Sequence, residues 1–282
     1  MKPTQVTRHI LLSVLIAGCA AQRSSSAPAL AASAAETIES PAIARILKRG
    51  ELIVGTSGDQ PPLSLKTKDG DIIGLEADLA QAMASAMGVQ AKLTVRPFGE
   101  LLPALVSGQV DMVLSGMTMT PERNLKVAFV GPYFVSGKTV LARADRLAAL
   151  NDTNKLKASK LTIAVLQDST SEAFAKDELP SAQLARTRDY EEAVTLLVDK
   201  KVDALIADYP AAVLAMLRHP DVELEVAKQP LTFEPLGIAL PPNDPLLINW
   251  TENFLRMMQG TGTLKRLTDQ WMGDGTWLEE TL

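Results

Sequence analysis

Residues 111–123 read Asp-Met-Val-Leu-Ser-Gly-Met-Thr-Met-Thr-Pro-Glu-Arg. The run begins as apolar strand, Asp111 to Leu114, and breaks into a small-residue turn at Ser115-Gly116. Thr120-Pro121-Glu122-Arg123 then has the form of a helix start, with Thr120 as N-cap and Pro121 at the first helical position. Arg123 falls in the first turn, where a capping box would place Glu or Gln. A cation there opposes the helix dipole, so a negative group should compensate it. Two kinds of partner fit: a side chain such as Glu122 or Asp111, or a bound anion held by the two prongs of the guanidinium. In the second case the amides and hydroxyl of Gly116 and Thr118 stand beside the anion.

Upstream of this stretch the chain alternates strands and helices. Leu52 to Gly55 reads as a buried strand, Lys68-Asp69-Gly70-Asp71 as a hairpin-like turn, and Asp78 to Met87 as a helix stopped by Gly88. Ala91 to Val95 is a strand, Phe98 to Ser107 a short helix and Val110 to Leu114 the next strand. Such alternation predicts an open, mostly parallel α/β sheet, with ligands at the carboxyl ends of its strands. Both the 115–123 stretch and the loop Thr56 to Gln60 lie at such ends.

Downstream, Lys138 to Arg143 is a strand, followed by a polar, linker-like stretch from Ala144 to Lys160. A second series follows: a strand over 161–166, an exit loop Gln167 to Thr170, helices at 171–175 and 191–199, and a strand Ala204 to Ala207 ending at Asp208. Ser169 and Glu172 fit a capping box. Residues 210–218 read as helix, 237–240 as strand and 246–272 as a C-terminal helical part.

The amino terminus carries Lys2 and Arg8, then an apolar run from Ile10 to Gly18 that is too short for a stable membrane anchor but suits a signal-peptide core. Cys19, the only cysteine, follows Ile16-Ala17-Gly18, which is similar to a bacterial lipobox. This predicts a signal peptide over 1–18, lipidation at Cys19, and an Ala/Ser-rich flexible tether over 19–40. Folding is expected to begin near Ile43 to Leu47, in a short helix ending at Gly50.

Net charge is −5, and no basic stripe interleaved with aromatics is present, which argues against a nucleic-acid partner. A single cysteine excludes an internal disulfide. After cleavage before Cys19 one histidine, His219, would remain, which excludes a His-based triad or a histidine metal cluster. No metal or cofactor is expected. Met112, Met117 and Met119 read as core or pocket lining.

The order of Gly55-Thr56, Gly74 to Leu79, Leu101 to Leu105, Ser107 to Asp111, Ser115 to Arg123, Gln167 to Thr170, Ala207 to Tyr209 and Gly262 to Trp271 resembles the family 3 bacterial extracellular solute-binding proteins of polar amino-acid ABC transporters. The resemblance covers nearly all of the chain after residue 40. It implies a two-lobed type II periplasmic-binding fold, two open sheets joined by two hinge strands near 138–143 and 235–240. Lobe 1 would be 41–141 with 236–282, and lobe 2 142–235. It further implies a monomeric, non-catalytic receptor in the periplasm or at the cell surface, tethered by lipid. Such a receptor closes on a small polar amino acid like a Venus flytrap and delivers it to an ABC permease in the inner membrane.

An α-amino acid needs a cation for its carboxylate and an anion for its ammonium. Arg123 is the cation, and the start of the helix after Ser169-Thr170 adds free amides and a favourable dipole. Asp208 is the anion. The resemblance assigns Gly116 a backbone carbonyl for the ammonium, and Thr118 and Thr170 hydroxyls and amides. Phe98 is a candidate pocket wall.

There are departures. The family often has an aromatic in the first loop where this chain has Gln60, and the aromatic usual after the proline is Leu63. That argues against cationic or aromatic ligands and leaves Gln60 and Asp59 to serve a polar or small side chain. Asp168 occupies a position that is often Gly, and a carboxylate there is unfavourable beside a bound anion. Plainer roles are also open: Asp208, Ser169 and Thr170 as helix caps, Glu76 and Asp78 as caps of the 78–87 helix, and Trp271 in packing. The same fold is similar to periplasmic cyclohexadienyl dehydratases, which place a general acid, Glu, where this chain has Ala211. A sensory role toward a membrane partner needs only the same closed, liganded form.

Overall fold

The computed structural model describes residues 40–150 and 160–273. Cys19, the signal peptide and most of the expected tether lie outside the described residues.

The polypeptide enters at α1 (Pro41–Arg49), capped by Ser40, whose hydroxyl accepts from the Ile43 amide. Ser40 thus belongs to the folded body, although the sequence reading leaves it in the tether. Then come β1 (Glu51–Thr56), a small antiparallel sheet of β2 (Asp59–Gln60), β3 (Ser64–Lys66) and β4 (Ile72–Ile73), and α2 (Leu75–Met87). Helix α2 starts three residues before the expected Asp78. Next are β5 (Gln90–Val95), α3 (Phe98–Val106) and β6 (Met112–Val113). β6 is shorter than the expected Val110–Leu114, because the Asp111 carboxylate turns across the sheet to accept from the Ile53 amide at 2.9 Å and from Arg45 and Arg49. This is where Asp111 is spent; it does not reach Arg123.

After α4 (Pro121–Asn124), β7 (Ala128–Ser136) leads to β8 (Lys138–Arg143). The expected linker begins instead as helix α5 (Ala144–Leu150). The second α/β series comprises β9 (Thr162–Leu166), α6 (Thr170–Glu178), β10 (Gln183–Thr187), α7 (Tyr190–Val198), β11 (Ala204–Asp208), α8 (Tyr209–Arg218) and β12 (Leu224–Val226). β13 (Glu234–Leu240) follows, and the C-terminal part is two helices, α9 (Pro245–Gly260) and α10 (Thr263–Met272), separated by Thr261 and left-handed Gly262.

The fold is a two-lobed α/β architecture with two open five-stranded sheets. One sheet has the order β5-β1-β6-β13-β7, parallel through β5, β1 and β6, with β13 antiparallel to both neighbours. The other has the order β10-β9-β11-β8-β12, with β8 antiparallel to β11 and β12. The chain passes between the sheets at Gly137, and again along the segment between β12 and β13. These two crossings lie side by side: Leu231 N donates to the Lys138 carbonyl at 2.7 Å, and Lys138 N to the Thr232 hydroxyl at 3.0 Å. Gly137 is required there, since a Cβ would lie 2.6 Å from Pro230 and 2.7 Å from the Thr232 carbonyl.

Helices α1, α2, α9 and α10 bury Ile46, Leu79, Met83, Leu255 and Trp271 against Leu52, Val54, Met112 and Leu236 of the first sheet. Met112 and Met117 are core residues, 0% and 1% exposed. Trp271 packs as expected and also donates its indole N–H to Asp78 at 2.7 Å. Among the described residues no helix is long and apolar enough to cross a membrane, and no group of three or more His, Cys, Asp or Glu could hold a metal ion.

Candidate functional site

Five segments converge where the two lobes meet: the loop into α4, the first turn of α6, the end of β11, and the first residues of β8 and β13. Thr120 caps α4 as expected, accepting from the Arg123 amide at 3.2 Å. This fixes the first turn and sends the Arg123 side chain back over the loop. Its guanidinium donates to the Thr118 carbonyl at 3.0 Å and to the Asp168 carbonyl, across the cleft, at 3.3 Å. Its central carbon lies over the Phe98 ring, 5.5 Å from the centroid. Burial presses the guanidinium toward losing its proton, and Glu234, Asp208 and Glu122 oppose that.

Ser169 caps α6, accepting from the Glu172 amide at 3.2 Å while its hydroxyl donates to the Leu166 carbonyl at 2.6 Å. The reciprocal half of the expected capping box is shifted by one residue: Glu172 accepts from the Asp168 amide at 2.8 Å. Asp168 itself has a left-handed backbone, φ 59°. Thr170, in the first turn of α6, points its hydroxyl into the cleft.

Asp208 is the N-cap residue of α8 but makes no side-chain cap bond. Its carboxylate turns inward instead. Oδ2 accepts from Lys138 Nζ at 2.8 Å and lies 3.5 Å from the Tyr190 hydroxyl, while Oδ1 is buried without a hydrogen-bond partner. Lys138 is 2% exposed, so its ammonium could be buried only with such a partner. Glu234, at the start of β13, completes the group. Its Oε2 accepts from Thr118 at 2.7 Å and Thr170 at 3.0 Å, its Oε1 from Thr232 at 2.8 Å, and Lys138 Nζ is 3.9 Å away. Burial alone would raise the Glu234 carboxyl, but Lys138 and these three hydroxyls outweigh it and hold it below the usual range.

Gly116 has φ 56°, and a Cβ there would lie 2.3 Å from Gln60 Oε1. Its amide donates to Glu76 Oε1 at 2.6 Å, and the Tyr133 hydroxyl donates to the same oxygen. Glu76 is therefore not a helix cap: it is a buried carboxyl beneath the loop over residues 115–118, pushed up to about 7 by burial. Gln60 is 2% exposed and spends its amide on Ser57 at 3.2 Å and the Ser115 carbonyl at 3.3 Å. Asp59 accepts from the Tyr190 amide at 2.9 Å across the cleft, and its Oδ1 is buried without a hydrogen bond. A cavity of about 420 Å³ opens there, lined by Asp59, Tyr190, Ala207, Ala211 and Arg218 among others.

Thus Arg123, Phe98, Thr118, Thr170 and Asp208 come together. Ser169 acts as a cap, and Gln60 supports the Gly116 turn. Lys138 and Glu234 escaped the sequence reading. One signal was available: Lys138 lies two residues before the apolar run Val140-Leu141-Ala142 in a strand whose first five positions are buried, where a charge must find a buried partner.

The family model for bacterial extracellular solute-binding proteins, family 3, matches residues 52–274. The chain belongs to this family. Among its relatives, the L-arginine-binding protein of Pseudomonas aeruginosa is 30% identical over 227 residues, covering 77% of this chain and 86% of that one. The cyclohexadienyl dehydratase of the same species is 28% identical over 246 residues, 86% and 91% of the two chains. A solved binding component of an ABC transporter from Wolinella succinogenes, complexed with lysine, superposes with a TM-score of 0.77 at 36% identity, covering 82% of this chain and 99% of that one.

Proposed function

We propose that this chain captures a polar α-amino acid between its lobes and delivers it to an ABC permease, without chemistry of its own. Arg123 takes the ligand carboxylate together with the first-turn amides of α6, and the free Oδ1 of Asp208 takes the ammonium. Thr118, the Gly116 carbonyl and Thr170 line the seat, and Phe98 forms its wall. The lobe boundaries expected at 141/142 and 235/236 move to the crossings, Gly137 and the segment between β12 and β13, because all of β8 lies in the second sheet and all of β13 in the first. A monomer held to the membrane through lipid on Cys19, in the periplasm or at the cell surface, completes the reading.

The observation that carries it is the juxtaposition of a guanidinium and a buried, half-satisfied carboxylate from opposite lobes. A zwitterion bridging them favours closure because the open form lacks one of the two contacts. The arginine and lysine ligands of the two binding-protein relatives support including basic side chains, for which the free oxygen of Asp59 is a ready acceptor.

The test is thermal unfolding of the refolded chain against the standard amino acids, citrulline, ornithine and several dicarboxylates. A ligand at 100 times its dissociation constant adds roughly 2.7 kcal/mol. A shift with one or a few amino acids, abolished by Arg123→Ala and by Asp208→Ala, is the expected result. Binding of carboxylates that lack the ammonium, with no amino acid active, would reject the role of Asp208. The dehydratase relative keeps one enzyme assay in view: Ala211 lines the same cavity as Asp59, whose carboxyl burial raises. Absence of water elimination from a cyclohexadienyl acid supports the receptor reading.

A further inference from the structure

Asp208 does not stand alone at the ammonium seat. Lys138 Nζ lies 2.8 Å from its Oδ2, which cancels most of the carboxylate's attraction for a second cation. If the pair were isolated, the seat would be neutral, and an amino acid would be little preferred over an analogue without the ammonium. Glu234 changes the sum. It is 5% exposed, its Oε2 is 3.9 Å from the same Nζ, and both its oxygens are already occupied by hydroxyls of Thr118, Thr170 and Thr232. Glu234 therefore has no need of a ligand, yet its charge stays within the cluster. Asp208, Lys138 and Glu234 together carry one net negative charge. The one acceptor atom among them that is both buried and unpartnered is Asp208 Oδ1.

We propose that Lys138 and Glu234 are positioning residues that set the selectivity of this site for a ligand ammonium, Glu234 restoring the negative charge that Lys138 removes from Asp208. The inference rests on the amino-acid reading above. It makes a demand that a structural role does not. Removing the lysine leaves two negative charges and strengthens the preference for an ammonium. Removing the glutamate charge leaves none and weakens it. Glu234→Gln keeps the oxygen that accepts from Thr118 and Thr170, while its NH2 faces the Thr232 hydroxyl as a donor in place of the acceptor Oε1, so the two contacts across the cleft survive.

The experiment is titration calorimetry of the purified chain with two pairs of probes: L-arginine against 2-hydroxy-5-guanidinopentanoic acid, and L-lysine against 6-amino-2-hydroxyhexanoic acid. Within each pair the α-ammonium is replaced by hydroxyl. The readout is the ratio of the two affinities. Lys138→Met is expected to raise the ratio and Glu234→Gln to lower it, each by tenfold or more, since a unit charge at about 12 Å and an effective dielectric of about 20 already gives about tenfold and a nearer charge gives more. Ratios that move in the same direction, or that do not move, overturn the proposal. Should Lys138→Met fail to fold, Lys138→Gln takes its place. Should neither fold, Glu234→Gln alone decides, and a ratio within threefold of wild type rejects the idea. If neither L-arginine nor L-lysine binds the wild type, the amino-acid reading fails for these ligands and the inference falls with it. If both bind and Arg123→Ala abolishes binding while the ratios stay put, only the inference fails.

Discussion

Arg123 lies with its guanidinium carbon 5.5 Å above the centre of the Phe98 ring. Phe98 is 5% exposed, so the ring is held by its own packing beneath the guanidinium. Two carbonyl acceptors, Thr118 and Asp168, each take one of its terminal nitrogens. The cation is therefore oriented before any ligand arrives, which lowers the ordering cost of binding. Phe98→Leu is expected to weaken amino-acid binding by about three- to tenfold, the worth of a partly desolvated cation–π contact. Arg123→Lys should cost more, because an ammonium cannot reproduce the planar fork. Calorimetry with L-arginine or L-lysine measures both, and a Phe98→Leu affinity equal to wild type would show that the ring does not orient the guanidinium.

Glu76 makes stability depend on pH in an unusual direction. Its carboxyl is raised by burial from 4.5 to about 7, against the pull of the Gly116 amide and the Tyr133 hydroxyl. The folded chain therefore holds a proton that the unfolded chain releases above pH 4.5. The stability this contributes is complete below pH 4.5 and is lost as pH rises through about 7. A shift of this size corresponds to about 3 kcal/mol. Glu234 acts oppositely: its lowered carboxyl contributes stability above pH 4.5 that is lost as pH falls through its folded value. The unfolding midpoint should thus fall between pH 4.5 and 7.5, and Glu76→Gln should flatten that limb. A wild-type midpoint that rises over this range would show that Glu76 is ionised in the folded chain.

Asp244 ties the start of α1 to the start of α9. It is 3% exposed, and one oxygen accepts from the Ser40 hydroxyl at 2.8 Å and the Ala42 amide at 2.9 Å. The other caps α9 through the Leu247 amide at 3.0 Å. Removing the carboxylate strips two helix starts of their acceptor at once. Asp244→Ala is expected to lower stability by about 3 kcal/mol, and Asp244→Asn, which keeps one acceptor oxygen, by about half of that. Urea unfolding followed by circular dichroism gives both values; an unchanged midpoint for Asp244→Ala would show that α1 contributes nothing to the global transition.

The helix starts were legible because their signals are local. Thr120-Pro121 and Ser169 each place a side-chain oxygen opposite an amide three residues on, and the structure has both bonds. The alternation of strands and helices likewise announces two open sheets. Features that depend on distant partners were not legible. Asp208 occupies a cap position but its carboxylate is drawn away by Lys138, 70 residues earlier. Glu76 has the look of a first-turn acid, and only the arrival of Gly116, 40 residues later, makes it a buried strut. Glu234 stands beside Phe233 and Pro235 with no spacing pattern around it, and its three threonine partners come from different segments. Local chemistry predicts which atoms need a partner; the fold decides which partner they meet.

Asp168 occupies a costly position at the mouth of the site. Its φ of 59° is strained for a side chain, though less so for Asp than for most. Its backbone is what the site uses: the amide donates to Glu172 at 2.8 Å and the carbonyl accepts from Arg123 at 3.3 Å. Glycine would keep both bonds at lower strain and would remove a negative charge from the end of α6, where the proposed site takes a ligand carboxylate. Asp168→Gly is therefore expected to tighten amino-acid binding by about two- to fivefold, with the gain shrinking as salt is added because the side chain is exposed. Asp168→Asn separates the two causes. It removes the charge but keeps a Cβ in the left-handed region, so it should reproduce most of the gain in affinity with less of any gain in stability. If Asp168→Asn leaves affinity unchanged while Asp168→Gly raises it, the strained backbone and not the charge is what holds the wild-type site back.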